Sequence, residues 1–99
     1  MTTPSEPTVR DDPEHSRFEI LEGDQRVGIA AYTRAGDRWT FTHTEVETGD
    51  EHHGLGGRLV RAALDDVRAA GGTVVPQCPF VAGWIERHPG YRDLVATGA

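Results

Sequence analysis

The sequence predicts an α/β (α+β) fold: a three-stranded antiparallel meander, then a strand–helix–strand unit whose parallel strands splay apart, then a C-terminal helix. Three observations predict it. Between Ser16 and Thr48, runs rich in β-branched and aromatic residues alternate with glycine-containing turns. From Gly54 to Ala70, apolar residues recur at the helical period behind a glycine turn. Thr73-Val74-Val75 then supplies a short strand directly after the helix, and a strand–helix–strand order makes the flanking strands parallel.

Residues 1–14 hold three prolines, four acids and almost nothing apolar, a composition that cannot offset the entropy of ordering. They are expected to form a mobile tail, leaving residues 15–99 as the folded domain. Phe18 to Leu21 and Val27 to Tyr32 read as strands joined by the turn Glu22-Gly23-Asp24-Gln25, and Ala35-Gly36-Asp37 leads into a third strand, Arg38 to Thr48. On that strand, period-two alternation groups Trp39, Phe41, His43 and Glu45 on one face and Thr40, Thr42 and Thr44 on the other. Apolar Val46 breaks the parity, which predicts a bulge or splay near Thr44 to Val46.

Advancing about 100° per residue from Leu55 puts Leu59, Val60, Ala63, Leu64, Val67 and Ala70 on one half of a helix. Arg58, Arg61, Asp65 and Arg68 fall on the other half, and Gly71-Gly72 closes the helix. Pro76 has no amide to donate and favours separation of the parallel strands at that end. From Pro79 to His88, Phe80, Val81, Trp84, Ile85 and His88 share one helical face, interrupted by Gly83, before Pro89-Gly90 ends the run. Tyr91 to Val95 is expected to fold back over the sheet edge. Spacing alone assigns no mechanism to His88-Pro89-Gly90-Tyr91.

The chain has 99 residues, enough for one small domain. Sixteen acidic and ten basic side chains give a net charge of −6, which argues against a nucleic-acid-binding surface and suits either an amine substrate or simple solubility. All ten basic residues are arginine. A single cysteine, Cys78, excludes an internal disulfide and agrees with a reducing cytoplasm. No apolar run reaches membrane-spanning length and no signal-peptide core is visible, so a cytoplasmic protein without membrane contact is expected. An exposed strand edge would allow a monomer or a weak homodimer. His52 and His53 beside Glu51 make a poor chelating geometry, and no metal site is expected.

Three constellations carry chemistry. Gly54-Leu55-Gly56-Gly57-Arg58 enters a helix, where first-turn amides without an internal acceptor can hold a pyrophosphate; an ordinary tight turn is the alternative. A dinucleotide-binding βαβ unit begins the same way, but the acidic residue expected at its next strand end is absent. Cys78, ahead of Pro79, stands where a helix N-terminus would stabilise a thiolate, or else is a small buried residue. His43 and Glu45, about 7 Å apart at Cα on one strand face, can act as base and orienter or be an exposed polar pair. A splay beside that strand would leave backbone groups for an amide-bearing ligand arm.

His43-Thr44-Glu45-Val46, Gly54-Leu55-Gly56-Gly57 with Leu59-Val60, Pro76-Gln77-Cys78-Pro79-Phe80-Val81 and Arg87-His88-Pro89-Gly90-Tyr91 follow one another in an order that resembles the small, single-domain YjdJ-like branch of the GNAT (N-acetyltransferase) superfamily. The resemblance runs from about His15 to Val95. It implies acetyl-CoA as co-substrate, lying between splayed parallel strands. The pyrophosphate would rest on the amides of His53, Gly54, Leu55, Gly56, Gly57 and Arg58, and the pantetheine would run along Thr44 to Val46. It also implies Cys78 as acetyl acceptor or catalytic thiol, beside Glu45 and His43 as base. The acceptor would be a small-molecule or peptide amine. The chain departs from the wider pattern at Glu51-His52-His53, which open the pyrophosphate loop, and at Trp84 and Ile85, near which many members carry a tyrosine acid. The alternative function is a CoA or acyl-CoA binding module without transfer activity.

Overall fold

The computed structural model describes residues 7–47 and 54–96. Strands β1 (Thr8–Asp12), β2 (Arg17–Glu22), β3 (Gln25–Ala35), β4 (Arg38–Val46) and β5 (Thr73–Pro76) form one sheet in the order 1-2-3-4-5. The first four pair antiparallel, and β4 pairs β5 in parallel. Helix α1 (Leu55–Ala69) connects β4 to β5, helix α2 (Pro79–Arg87) follows, and a 3-10 segment, Pro89–Leu94, closes the described chain. The α/β architecture is the predicted one. No helix among the described residues is long and apolar enough to cross a membrane.

The expected mobile tail is corrected at its C-terminal half. β1 pairs residue for residue with β2, Thr8 opposite Leu21 through Asp12 opposite Arg17, and a 3-10 turn, Pro13–His15, joins the two strands. Residues 1–6 lie outside the described residues. An edge strand is held mainly by its neighbour's backbone, so a polar composition does not disqualify it. Here the polar side chains add to the pairing: the Tyr32 hydroxyl donates to Asp11 Oδ1 at 2.7 Å, and Arg10 Nε donates to Glu19 Oε1 at 2.9 Å. Val9 packs against the core.

The hairpin between β2 and β3 turns at Gly23 (φ +60°), and that between β3 and β4 at Gly36 (φ +63°). Two bulges interrupt the ladders. On β3, Val27 is left over between the pairs Leu21–Arg26 and Ile20–Gly28. On β4, Thr42 is left over between Tyr32–Phe41 and Ala31–His43.

The second bulge corrects the predicted alternation, which placed the irregularity at Thr44 to Val46 and grouped His43 and Glu45 with Trp39 and Phe41. An extra residue at Thr42 exchanges the two sides of the strand from that point on. Trp39 and Phe41 are buried, Thr44 and Val46 continue their face, and His43 and Glu45 are exposed. The continuity is tight. A methyl added to Gly28 would lie 2.5 Å from Val46 Cγ1 and 2.9 Å from Ile20 Cγ2, so β3 has room there only for glycine.

Helix α1 behaves as its periodicity predicts as far as Val67: Leu55, Leu59, Val60, Ala63, Leu64 and Val67 are buried, and the helix touches all five strands, while Ala70, predicted on the same half, is the exposed C-cap. Its C-terminus is a Schellman motif. Gly71 (φ +75°) donates to Arg68 O at 3.0 Å and Gly72 donates to Val67 O at 2.9 Å. α2 lies alongside α1 and adds Val81, Trp84 and Ile85 to the same core. Beyond Leu94 the chain returns to the sheet, as predicted: Val95 bridges Val74 in parallel and Ala96 N donates to Val74 O at 2.8 Å. Among the described residues no helix packs on the opposite face of the sheet, where Ile29 and Ala31 are half-buried.

Candidate active site

β5 is short, and its shortness opens the site. It pairs only with residues Arg38 to Phe41, so β4 runs on from Thr42 to Val46 without a β5 partner. This is the predicted splay. At its apex Cys78 N donates to Phe41 O at 2.9 Å, so the chain leaving β5 stays pinned to β4 before it turns into α2.

Cys78 is the N-cap of α2, with Pro79 at the first helical position. It is 5% exposed, and its sulfur lies 3.3 Å from Thr44 Oγ1. Burial pushes the thiol's pKa up. The hydrogen bonds from the Thr44 side chain and from the amides of Val81 and Phe80 outweigh that and hold it below its ordinary value. Helix entry and threonine therefore make this thiol a stronger acid than an ordinary cysteine.

His43 Nε2 and Glu45 Oε2 are 2.9 Å apart, a direct pair, with side chains 57% and 69% exposed. They face the side of the sheet without a helix. The structure thus joins Cys78 to Thr44 and His43 to Glu45, but on opposite faces of one strand. A cavity of about 590 Å³ adjoins this end of β4, lined by residues 26–29 of β3 and 44–47 of β4 and its extension. Thr44, Glu45 and Val46 all contribute to it.

The glycine turn has two distinct explanations within it. Gly54, the N-cap of α1, has φ +82°, which an L side chain tolerates poorly. Gly56 and Gly57 serve packing against α2: a methyl at Gly56 would lie 2.6 Å from Phe80 Cζ, and one at Gly57 3.4 Å from Trp84 Nε1. Leu55 is buried, so only its amide can face a ligand. The helical ladder begins with Arg58 N donating to Gly54 O at 2.9 Å. The amides of Leu55, Gly56 and Gly57 precede that bond and have no acceptor within the helix. Arg58 is exposed at the same turn. His53, like Glu51 and His52, lies outside the described residues.

Three features escaped the sequence reading. Phe80, on the same predicted helical face as Val81, Trp84 and Ile85, is 41% exposed and lies over Gly56. Glu19 is buried on the uncovered sheet face against Arg10, Arg17 and Arg26. The unassigned His88 to Tyr91 motif is a clamp between the C-terminal segment and α1. His88 Nδ1 donates to Trp84 O at 2.7 Å and its ring stacks on Trp84 at 3.8 Å. The Tyr91 hydroxyl donates to Asp65 Oδ1 at 2.9 Å, and Arg68 donates to Asp93 and to Gly90 O. The helical offset of four between Trp84 and His88 was the available signal. Asp12, Glu14 and His15 bring possible ligand atoms together on the exposed turn after β1, and the 2.8 Å hydrogen bond between His15 and Asp12 accounts for that grouping.

The chain is similar in three dimensions to a GCN5-like candidate N-acetyltransferase from Staphylococcus aureus, solved in solution by NMR. The TM-score is 0.69 at 18% identity, over 90% of this chain and 87% of that one, a likeness that shows the fold. Among curated proteins, none matches the chain. The family model for GCN5-related N-acetyl-transferase matches residues 17–94, from the first residue of β2 to the last of the 3-10 segment, and the chain therefore belongs to the GCN5-related N-acetyltransferase family.

Proposed function

We propose that the protein transfers an acetyl group from acetyl-CoA to an amine, with the reacting carbon held beside the unpartnered stretch of β4. The observation that carries this reading is the Cys78–Thr44 unit at the apex of the splay, with the His43–Glu45 pair on the other side of the same strand. When bound, acetyl-CoA supplies an activated acyl group as a thioester. The chain's residues fit such a ligand in two places. The backbone of Thr44 to Val46 can pair with an amide-bearing arm, and the first-turn amides of α1, those of Leu55, Gly56 and Gly57, suit a pyrophosphate.

Glu45, with His43 beside it, takes a proton from the incoming ammonium, directly or through water, and frees the neutral amine to attack. The amine nitrogen forms a bond to the acyl carbon, the carbon–sulfur bond breaks, and the nitrogen gives up its second proton to solvent, from which Cys78 is later reprotonated. Cys78 then gives its proton to the departing thiolate, a role that suits a thiol held below its ordinary pKa. A base and an acid on opposite faces of β4 can address the two sides of one reacting carbon. That arrangement favours direct transfer over a covalent stop at Cys78.

One observation favours a second reading, a CoA-binding module without transfer: Trp84 and Ile85 are buried core residues, and α2 offers no tyrosine acid. Calorimetric titration with CoA, followed by thiol release from acetyl-CoA against a panel of amines, separates the two. The transferase reading expects binding, turnover and at least about a tenfold loss of rate in Cys78→Ala, in keeping with proton transfer from a positioned group. Binding without turnover across the panel selects the module. A smaller loss removes Cys78 from the mechanism, and a trapped acetyl-cysteine would replace direct transfer with a two-step route.

A further inference from the structure

Glu19 lies on the sheet face that no helix covers, yet its side chain is only 3% exposed. Three arginines close over it. Arg10 brings Nε and Nη2 to Oε1, each at 2.9 Å, and Arg17 brings Nε and Nη2 to Oε2 at 3.0 and 2.9 Å. Arg26 Nη1 stands off at 3.6 Å from Oε2. One carboxylate balances one guanidinium, so the cluster keeps two surplus positive charges in a chain whose net charge is −6. Satisfying Glu19 requires only the first two arginines. The third adds like-charge repulsion without a close contact, and its side chain is 51% exposed.

The strand register brings this cluster next to the proposed acid–base pair. Arg10 pairs Glu19, Glu19 pairs Ile29 and Ile29 pairs Glu45, in one line across β1 to β4. The cavity beside β4 is lined by Arg26 and Ile29 as well as by Glu45 and Glu47. No described residue of α1 or α2 lines it, and its charged lining residues, Arg26, Glu45 and Glu47, are exposed. Its lining carries two acids on the β4 side, Glu45 and Glu47, and on the β3 side apolar Ile29 and one base, Arg26. We infer that the acceptor is an amine that also carries a carboxylate, its ammonium held at Glu45 and Glu47 and its carboxylate at Arg26, with Arg10 and Arg17 behind. This inference rests on the transferase reading and specifies its substrate class. Arg26 on β3 and Glu45 and Glu47 on β4 and its extension stand on adjacent strands, about 5 Å apart at the usual strand spacing, a separation that an amino acid or a short aliphatic chain between the two charges would span.

The test pairs each acidic acceptor with a neutral counterpart: 6-aminohexanoate with hexylamine, and a tripeptide ending in glutamate with the same peptide ending in glutamine, its C-terminus amidated in both. Release of CoA thiol should favour the carboxylate-bearing member by about tenfold in kcat/KM, a factor appropriate to a charge-assisted hydrogen bond near the surface. In Arg26→Gln that ratio should fall to about one. Which pair shows the preference tells a small amino acid from a peptide terminus. Equal rates within both pairs would overturn the inference and leave the transferase reading standing. If no amine turns over, the arginine Nε–H resonances decide instead. Titration with 6-aminohexanoate, and not with hexylamine, should shift the Arg26 signal, and an unmoved signal refutes the inference independently of catalysis.

Discussion

Replacing Glu19 with glutamine is the sharpest test of how the uncovered face is held together. The carboxylate accepts four contacts of 3.0 Å or less from Arg10 and Arg17. An amide offers one acceptor oxygen and turns a donor toward the other guanidinium, while three cations remain. Removing one partner of a buried ion pair costs about 3–5 kcal/mol. The side chains of Arg10 and Arg26 are 65% and 51% exposed, so water screens part of the residual repulsion. The expected loss is therefore about 2–3 kcal/mol, equivalent to roughly 10–20 °C in Tm for a domain of this size.

Urea unfolding followed by tryptophan fluorescence measures this loss directly. Burial works to raise the pKa of Glu19, but hydrogen bonds from Arg10 and Arg17 outweigh it and hold the group below its ordinary 4.5. A carboxylate with a depressed pKa contributes its full stability above that ordinary value and loses it as the pH falls through the folded value. The gap between wild type and Glu19→Gln should accordingly be widest near neutrality and narrow below pH 4.5. Arg17→Met in the glutamine background should recover part of the loss. A difference under about 0.5 kcal/mol at neutral pH, the range of an ordinary surface substitution, or a gap unchanged by acid would refute this account of the cluster.

Three further predictions concern glycines. In Gly72→Ala the added methyl would overlap the buried Trp39 ring and lie 2.7 Å from Asp37 O, neither of which can move aside, so a loss of about 2–3 kcal/mol is expected in urea unfolding. Gly54→Ala forces an L side chain to φ +82° at a cost of about 1–2 kcal/mol. Gly56→Ala crowds only the half-exposed tip of Phe80 and gains helix propensity, so its thermal midpoint should stay within about 4 °C of wild type, the shift for half to one kcal/mol.

Features written in local sequence were legible. The apolar stripe of α1 and its Gly71-Gly72 closure follow from spacing and from a positive φ at a glycine. Pro79 marks a helix start and so places Cys78 at its cap. Pro76 ends β5 where β4 continues alone. The missed features depend on residues distant in the chain. β1 has the composition of a tail because its partner is the backbone of β2, which composition does not register. The slip at Thr42 left no compositional trace, since threonine suits either side of a strand. Arg10, Arg17 and Arg26 look like scattered surface charges until the register gathers them on Glu19. Gly56 and Gly57 read as a ligand-facing or an ordinary tight turn, and not as packing positions, because their neighbours, Phe80 and Trp84, arrive from another helix.

The surplus residue at Thr42 has a consequence for how this strand can vary in length. Positions 43 and 45 belong to solvent and positions 44 and 46 to the interior only because one residue has been absorbed just before them. Shortening β4 there by one would turn the His43–Glu45 pair inward beside Phe41 and Cys78 and push Val46 into water. Forcing an ionised carboxylate into that apolar surrounding costs several kcal/mol, far more than a single exposed valine. Electrostatics, rather than side-chain volume, therefore sets the tolerated length of this segment.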